Sequence, residues 1–446
     1  MNLDAKESSR SRESIINLLS LTLLSTFIYL VVSLTIRRIN NPLMMDQDEQ
    51  EYYNLANSII YHGYNFNLRR PPGYIIVLYF IRLFAGDNLL AIRAIVSACF
   101  ALSAPLMYLL VKRFTGHNRF ALAIGVVTVF WPPFLYYGSS LYSETLALPV
   151  FVLALLCLPL GSLVTGGAPE RWWRASVAGL VLGVCMLMRP MYLLFSPFAV
   201  AILFLEESDW TVALRRTFLL AFACLLIVMP WSAYLSAKAG KFILVSANGG
   251  ETLAGGLNPA LLDKGYRVFT APDGRQTWFG PGKWVSEDET GYLTNEELQL
   301  PYEQRGAILE RKAAAWALAH PSSMMRLEFA KLAYMWGVYP FWNGATQTIF
   351  GNIPVVGALG LTLLSLVYFR SRLRQLSRYW LLPLFTSAVA LVSWGSWRFR
   401  EPGDFGLIML SGLLVWAVMA KSDGSELFRG PPIYRARPEL KESERD

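Results

Sequence analysis

The amino-acid sequence predicts an all-α polytopic membrane protein, a bundle of about ten transmembrane helices with two long extracytoplasmic loops. Three observations lead to this fold class. The 446 residues are 54% hydrophobic and only 16% charged, whereas a soluble chain would carry about 25% charged residues. The apolar residues form runs long enough to cross a bilayer. The basic residues between these runs gather on one predicted side of the membrane.

The apolar runs set the predicted spans, because a hydrocarbon core about 30 Å thick requires about 20 apolar residues per helix. Clear candidates are the runs 15–36, 89–111, 120–137, 217–234 and 353–369. Shorter candidates, which support one another through their loops, are 145–160, 175–188, 191–205, 379–394 and 405–420. The first run is too long for a signal-peptide core, so we interpret it as an uncleaved span.

The basic residues predict a cytoplasmic N-terminus and a multi-pass protein of the inner or plasma membrane. The inner loops then contain Lys112, Arg113, Arg119, Arg171, Arg174, Arg215, Arg216, Arg370, Arg372, Arg374 and Arg378. The predicted parts are a cytoplasmic N-terminus (1–14), a transmembrane module (15–236) with a first outer loop (37–88), a second extracytoplasmic region (237–352), C-terminal helices (353–420) and a cytoplasmic tail (421–446). Within the second region, residues 324–339 are expected to form a surface helix or a partial span.

Charge, cysteines and histidines exclude several classes of function. The net charge of +8 follows from basic cytoplasmic loops, and no Lys/Arg-rich globular segment indicates nucleic-acid binding. All four cysteines lie in apolar runs without a C-x-x-C pair, so they are expected to be buried thiols rather than disulfides or zinc ligands. The three histidines are scattered, which gives little support to a histidine metal site or a Ser-His-Asp triad.

The first outer loop concentrates acidic residues beside a predicted amphipathic helix. Four acids lie within six residues: Asp46, Asp48, Glu49 and Glu51. Apolar residues then follow at helical spacing, at Tyr52, Leu55, Ala56, Ile59 and Ile60, and Gly63 is expected to end the helix. One interpretation is helix capping, with Asp46 and Glu49 forming a capping box. Capping needs only one or two acids, so a functional acid at Asp48 is compatible with it.

The same loop resembles a known family. The stretches that carry the likeness are Asp48-Glu49-x-x-Tyr52-x-x-x-Ala56, Gly63 and Arg70-Pro71-Pro72-Gly73-Tyr74. They are similar to the first outer loop of GT-C glycosyltransferases, in particular the bacterial protein-mannosyltransferase/aminoarabinose-transferase (ArnT-like) branch. The resemblance implies a GT-C-type bundle that moves a sugar from a polyprenyl-phosphate carrier to a glycan, lipid or protein acceptor. It also implies that Asp48 is the catalytic acid.

Further stretches resemble the family in the same order along the chain. They are Tyr142-Ser143-Glu144, Arg189-Pro190, Pro230-Trp231, Asn248-Gly249-Gly250-Glu251, His320-Pro321 with Lys331, and Arg398-Phe399-Arg400. No single stretch is specific, and their shared order is what makes the likeness. Lys331 is assigned to the donor-binding group on this resemblance.

Several arginines are predicted at the outer ends of spans, where cations are disfavoured. The set comprises Arg93, Arg189, Arg398 and Arg400, and Arg69 and Arg70 join it from the first outer loop. A single such arginine would be explained by snorkelling to lipid headgroups. Several beside an acid-bearing loop indicate an anion site, because guanidinium forks bind phosphate oxygens in pairs. Glu144 is a further candidate catalytic or positioning acid, and pairing with Arg189 or Arg398 is an equally good interpretation.

The resulting hypothesis is a membrane glycosyltransferase with Asp48 as general base, aided by Glu144 and Glu49, and with the basic residues on the donor phosphate. Membrane lipid surrounds it, and nucleic acid is not a partner. A divalent metal, Mg²⁺ or Mn²⁺, is left open, since Asp48 and Glu49 are suitable ligands. The alternatives are an O-antigen-type glycan polymerase or ligase, and a lipid or solute transporter, although no internal repeat is visible.

Overall fold

The structure is a computed structural model that describes residues 2–39, 47–62, 69–167, 170–258, 268–270, 276–278, 292–338 and 352–420. The described part is almost entirely helical, as the sequence predicted. The predictions for Asp46, Gly63 and the tail 421–446 lie outside the described residues. Elements are numbered below in chain order within the described part.

The N-terminal half contains α1 (Asn2–Ile39), α2 (Gln47–His62), α3 (Pro72–Ala85), α4 (Leu89–Ala101), α5 (Ser103–Thr115), α6 (Asn118–Val129), α7 (Pro132–Tyr137), α8 (Ser143–Cys157), α9 (Ser162–Thr165), α10 (Trp173–Met188), α11 (Phe195–Glu206) and α12 (Trp210–Ala239). A 3₁₀ turn, Pro190–Leu194, joins α10 to α11.

The second half contains α13 (Gly249–Gly256), α14 (Asn295–Leu298), α15 (Tyr302–Ala319), α16 (Pro321–Met335), α17 (Ile353–Tyr368), α18 (Ser377–Val392) and α19 (Glu401–Met419). Two short 3₁₀ turns, Arg370–Arg372 and Trp397–Arg400, flank α18. The exception to the helical architecture is an antiparallel hairpin, β1 (Val268–Thr270) with β2 (Gln276–Trp278), in which Val268 pairs with Trp278.

The apolar runs of the sequence correspond to helices. Four helices of the described part are long and apolar enough to cross a membrane: Ser11–Thr35, Leu89–Thr115, Trp210–Ala239 and Trp397–Met419. The other predicted spans correspond to shorter apolar helices. The polytopic helical fold class is therefore confirmed, while the number of crossings and the domain boundaries stay predictions.

Prolines interrupt two of the predicted spans. Within the helix Leu89–Thr115, a single turn residue at Leu102 separates α4 from α5, and Pro105 lacks the N–H that would bond the Ala101 carbonyl. The run 120–137 is divided after Val129, because α7 begins at the Pro132-Pro133 pair. Such breaks leave the hydropathy of a run unchanged, which is why the apolar runs did not reveal them.

One apolar helix, α3, was not predicted. It lies inside the segment assigned to the first outer loop and buries Tyr74, Ile75 and Leu78. Its 14 residues include Arg82, so it falls below the length used for a span. Gly73 fixes its start against α10, since a Cβ at Gly73 would lie 2.8 Å from the carbonyl oxygen of Leu187. This contact brings the Arg70 segment close to the end of α10, where Arg189 follows.

Small residues hold the central helices together. Gly179 and Gly183 on α10 face α12, and a Cβ at Gly179 would lie 2.2 Å from the carbonyl oxygen of Leu220. Helices in a membrane associate by close van der Waals contact at such small residues. This packing forms a rigid frame, and the charged residues described next gather at one end of it.

Candidate active site

Asp48 lies between two arginines from distant parts of the chain. Arg70 Nη2 donates to Asp48 Oδ1 at 2.8 Å, and Arg398 Nη1 donates to Asp48 Oδ2 at 2.8 Å. Asp48 is in the first turn of α2, where the positive end of the helix dipole favours a carboxylate. Its side chain is 30% exposed, so both ion pairs stand at the edge of the buried core. This arrangement brings the predicted base and two predicted phosphate ligands together.

Glu144 extends this cluster on the other side of Arg398. Arg398 Nε donates to Glu144 Oε1 at 2.8 Å, and Arg189 pairs with Glu144 Oε2. Glu144 is in the first turn of α8 and its side chain is only 2% exposed. A buried carboxylate between two guanidinium groups is held in place by both of them. Asp48, Glu144, Arg70, Arg189 and Arg398 thus form one connected cluster, here called the acid–arginine cluster.

Aromatic rings support the arginines of the cluster. The guanidinium of Arg398 lies 4.0 Å from the ring centroid of Tyr142, and that of Arg189 lies 5.1 Å from the ring centroid of Phe399. Arg70 lies 4.9 Å from the ring centroid of Tyr52 and donates from Nη1 to the Tyr52 hydroxyl at 3.3 Å. Cation–π contacts of this kind orient a guanidinium without occupying all of its donors.

The charges of the cluster determine the protonation of Asp48. Burial raises the pKa of the Asp48 carboxyl, but the guanidinium groups of Arg398 and Arg70 and their hydrogen bonds outweigh burial and hold that pKa well below its ordinary value. Asp48 is therefore ionised and able to accept a proton. A carboxylate that is stabilised this strongly is also a weak base, so an arginine must leave it before it can take a proton efficiently.

Glu49, predicted as a catalytic acid, is buried in an ion pair with Arg93, predicted as a phosphate ligand. Arg93 Nη1 and Nη2 donate to the two carboxylate oxygens of Glu49 at 2.8 and 2.9 Å, and the side chains are 1% and 0% exposed. The backbone N–H of Leu141 also donates to Glu49 Oε1 at 2.8 Å. This pair joins α2 to α4 and to the segment before α8.

Arg400 and Lys331 have buried partners of their own. Arg400 Nη1 donates to the Met335 carbonyl at 2.9 Å, and its Nε lies 3.4 Å from Asp404 Oδ1. Lys331 Nζ donates to the carbonyl oxygens of Leu391 and Ser393, each at 2.9 Å. The latter contacts cap the C-terminal end of α18, where a cation is favourable. The structure thus shows no contact between these two predicted phosphate ligands and Asp48 or Glu144.

Two acids near the cluster were not among the predicted site residues. Glu51 Oε2 pairs with Arg70 Nη2 at 2.6 Å, and Glu401 is buried at the start of α19 directly after Arg400. The dense acids of the first loop were a signal for Glu51. For Glu401 the only signal was an acid within an apolar, arginine-rich stretch, which is unusual in a membrane helix.

The carboxylates of the site do not fit a divalent metal. Both oxygens of Asp48 and both oxygens of Glu49 accept hydrogen bonds from guanidinium groups. A dication needs several free oxygen ligands and would be repelled by these arginines. Within the described ranges, no group of three or more His, Cys, Asp or Glu side chains has the arrangement of a metal site.

A comparison with solved structures supports this fold. The chain is structurally similar to an archaeal oligosaccharyltransferase, AglB from Archaeoglobus fulgidus, solved with an inhibitory peptide and a dolichol-phosphate. The TM-score is 0.50 at 15% identity, and the match covers 90% of this chain and 50% of that one. The chain therefore spans about half the length of the archaeal protein. It has the fold of the GT-C membrane glycosyltransferases, as its sequence resemblance predicted.

A family model matches part of the chain. Residues 69–234, somewhat more than a third of the chain, match the family described as dolichyl-phosphate-mannose-protein mannosyltransferase. ArnT from Cupriavidus metallidurans bound to undecaprenyl phosphate is also similar, with 14% identity, a TM-score of 0.44, and coverage of 91% of this chain and 78% of that one. No curated protein sequence matches the chain. The matched segment contains Arg70, Glu144 and Arg189 of the acid–arginine cluster.

Proposed function

We propose that this protein transfers a sugar from a polyprenyl-phosphate carrier to a hydroxyl or amine of an envelope glycan, lipid or protein. The observation that carries the proposal is the acid–arginine cluster, in which Asp48 and Glu144 share the guanidinium of Arg398. A base and an anion site in contact are what transfer from a sugar phosphate requires. The family match and the fold support the same class of reaction.

In the proposed reaction, Asp48 accepts the proton of the acceptor hydroxyl or amine. The acceptor atom forms a bond to the anomeric carbon while the bond from that carbon to the carrier phosphate oxygen breaks, and the configuration inverts. The electron pair of the broken bond stays on the polyprenyl phosphate. Arg398 and Arg189 stabilise this leaving phosphate. The proton on Asp48 then passes to solvent.

The contacts support a different role for each predicted cluster residue. Glu144 holds Arg398 and Arg189 side by side, which makes it a positioning residue for the phosphate site. Arg70 contacts Asp48 and Glu51 and keeps the Asp48 carboxylate oriented. Glu49 with Arg93, Arg400, and Lys331 hold the surrounding helices, because their charged groups have buried partners.

Arg398 also links donor binding to base catalysis. Its Nη1 contacts Asp48 in the described state, and the same donor faces the place where a phosphate would bind next to Arg189. When a phosphate takes this hydrogen bond, Asp48 loses one of its two guanidinium partners and its basicity rises. The donor would therefore bind first and activate the base for the acceptor.

The proposed site faces the extracytoplasmic side, at the level where the sugar phosphate of a membrane-anchored carrier lies. The basic residues predicted for the inner loops support this orientation. Several of them are paired at the opposite end of the bundle, where Arg378 Nη2 lies 2.6 Å from Glu206 and Arg216 Nη1 lies 2.6 Å from Glu207. The carrier tail would extend among the apolar helices.

The test is transfer of a radiolabelled sugar by the purified full-length protein. The substrates are polyprenyl-phosphate sugars and the acceptors are envelope fractions. The wild type should label an acceptor, and Asp48→Asn should not. Asp87→Asn is a matched control, because Asp87 pairs with Arg82 outside the cluster. Normal turnover of Asp48→Asn would instead favour a polymerase or ligase with its chemistry in residues 237–352. Lipid or solute flux without sugar transfer would favour a transporter.

A further inference from the structure

The short helix α13 lies near both segments whose arginines hold Asp48. These are residues 69–70, called the Arg70 segment, and residues 393–398, called the Arg398 segment. Its Gly250 lies against α15, since a Cβ there would be 2.0 Å from the carbonyl oxygen of Gly306. Its Gly256 lies against the residue after α18, since a Cβ there would be 2.3 Å from the carbonyl oxygen of Ser393. Ser393 is five positions before Arg398. The close backbone contacts at Gly250 and Gly256 fix the position of α13 relative to the Arg398 segment.

Glu251, on the same helix, contacts the Arg70 segment through Arg69. Glu251 Oε2 accepts a hydrogen bond from the Tyr302 hydroxyl at 3.0 Å and lies 3.3 Å from Arg69 Nε. Arg69 Nη1 in turn lies 3.5 Å from Glu51 Oε1. The other oxygen of Glu51 pairs with Arg70, which donates to Asp48. A continuous chain of charged contacts therefore runs from Glu251 to Asp48.

This chain of contacts contributes little to overall stability but has a consequence for geometry. The side chain of Arg69 is 38% exposed, and an exposed ion pair stabilises a fold only weakly. One carboxylate oxygen of Glu51 contacts Arg69 and the other contacts Arg70. A displacement of Arg69 therefore changes the position of the Glu51 carboxylate that Arg70 binds. A misplacement of about 1 Å near a reacting group can reduce a rate by about 100-fold.

We infer that Glu251 is a positioning residue that acts through Arg69 and Glu51 to keep Arg70 against Asp48. The inference rests on the proposed role of Asp48 as the base. It also gives the Asn248-Gly249-Gly250-Glu251 stretch a physical role. Gly250 lets the helix approach α15 closely. Glu251 connects the second loop to the first loop through its contact with Arg69.

The kinetic test compares Glu251→Gln with Glu251→Asp in the full-length protein. Glu251→Gln should lower kcat for transfer from the radiolabelled polyprenyl-phosphate sugar about tenfold, with KM for that donor changed less than about twofold. Glu251→Asp keeps the charge and should recover part of the loss. Glu303→Gln is the matched control on α15, because Lys241 is held there by the Glu303 carbonyl and the substitution retains that contact. The control should transfer at the wild-type rate.

A double substitution separates positioning from general stability. In an Arg70→Gln background, Glu251→Gln should cause no further loss of kcat, because both act on the same contact. Additive losses would overturn the inference, and so would a fall in melting temperature that matches the loss of activity.

Hydrogen exchange gives a readout that does not depend on activity. Glu251→Gln should increase amide exchange in residues 47–62 relative to the wild type, and Glu303→Gln should not. Unchanged exchange in Glu251→Gln would overturn the inference even if sugar transfer fell. If the wild type transfers no sugar but exchange increases, the proposed reaction fails while the support of Asp48 by Glu251 stands.

Discussion

Asp48 and Arg398 are 350 positions apart in the chain, yet Arg398 Nη1 donates to Asp48 Oδ2 at 2.8 Å. The same guanidinium contacts Glu144 through Nε and Nη2 at 2.8 and 2.7 Å. In this state two carboxylates occupy the arginine that is proposed to bind the donor phosphate. The phosphate must therefore compete with acids of the protein itself, and this competition has measurable consequences.

Asp48→Asn should bind undecaprenyl phosphate more tightly than the wild type, while it transfers no sugar. The substitution removes one charged competitor for Arg398, and a charge-assisted hydrogen bond of this type is worth about 1.5–3 kcal/mol, or about tenfold or more in affinity. Titration of the purified variants with undecaprenyl phosphate measures the change. Asp87→Asn serves as the control with unchanged affinity. Weaker binding by Asp48→Asn would contradict the competition between Asp48 and phosphate.

Arg398→Lys should fail to replace the arginine. The guanidinium contacts Asp48 and Glu144 through three nitrogens, a geometry that a single ammonium does not reproduce. We expect kcat to fall by about 100-fold, the scale found when a group that stabilises transition-state charge is removed. The control is Arg326→Lys on α16, where the residue is exposed. Near-normal turnover of Arg398→Lys would show that only its charge is needed.

The pH dependence should differ between the free and donor-bound protein. Arg398 and Arg70 hold the pKa of Asp48 below its ordinary value of about 4, so its charge is lost only as the pH falls through that lower value. No acidic limb above pH ~4 is then expected from Asp48 in kcat/KM, which reports the free protein. The pH profile of kcat reports the donor-bound protein, in which phosphate occupies Arg398. Because Asp48 then lacks one guanidinium partner, its pKa rises and the acidic limb of kcat should move to higher pH. Measuring kcat and kcat/KM over a pH series tests this. Identical acidic limbs in the two profiles would argue against the replacement of Asp48 by phosphate on Arg398.

Glu49→Gln should unfold the protein more readily. The substitution leaves Arg93 charged, buried and without its carboxylate partner, and breaking a buried pair in this way costs about 3–5 kcal/mol. Thermal unfolding in detergent measures the loss. The double variant Glu49→Leu/Arg93→Met removes both charges and should be less destabilised than Glu49→Gln alone. Retained stability with lost sugar transfer in Glu49→Gln would instead restore Glu49 as a catalytic acid.

Sugar transfer should survive removal of divalent metals. The oxygens of Asp48 and Glu49 are held by guanidinium groups, and the described residues contain no other carboxylate ligand set of the kind that Mg²⁺ or Mn²⁺ requires. Dialysis against EDTA should therefore leave turnover nearly unchanged. Loss of activity on EDTA treatment, with recovery on addition of Mg²⁺ or Mn²⁺, would show that the carboxylates exchange arginine for metal during turnover.

The sequence by itself determined that this is a helical membrane protein and that Asp48 and several arginines are candidates for one site. Apolar run length and the placement of basic residues are local properties, and they can be read without knowing how the helices pack. The family resemblance added the order of the charged stretches. The same reading could not detect α3 or the breaks at Leu102 and Val129, which depend on short helices and on prolines.

Only the tertiary structure decided which arginine meets which acid. Arg93 and Arg398 looked alike in the sequence, since both lie at the predicted outer end of a span. The fold buries Arg93 on Glu49 and places Arg398 between Asp48 and Glu144. An ion pair is fixed by the approach of helices that are distant in the chain, and hydropathy carries no information about that approach. Close backbone contacts between helices, such as that of Gly73 with Leu187, determine which charged residues form ion pairs.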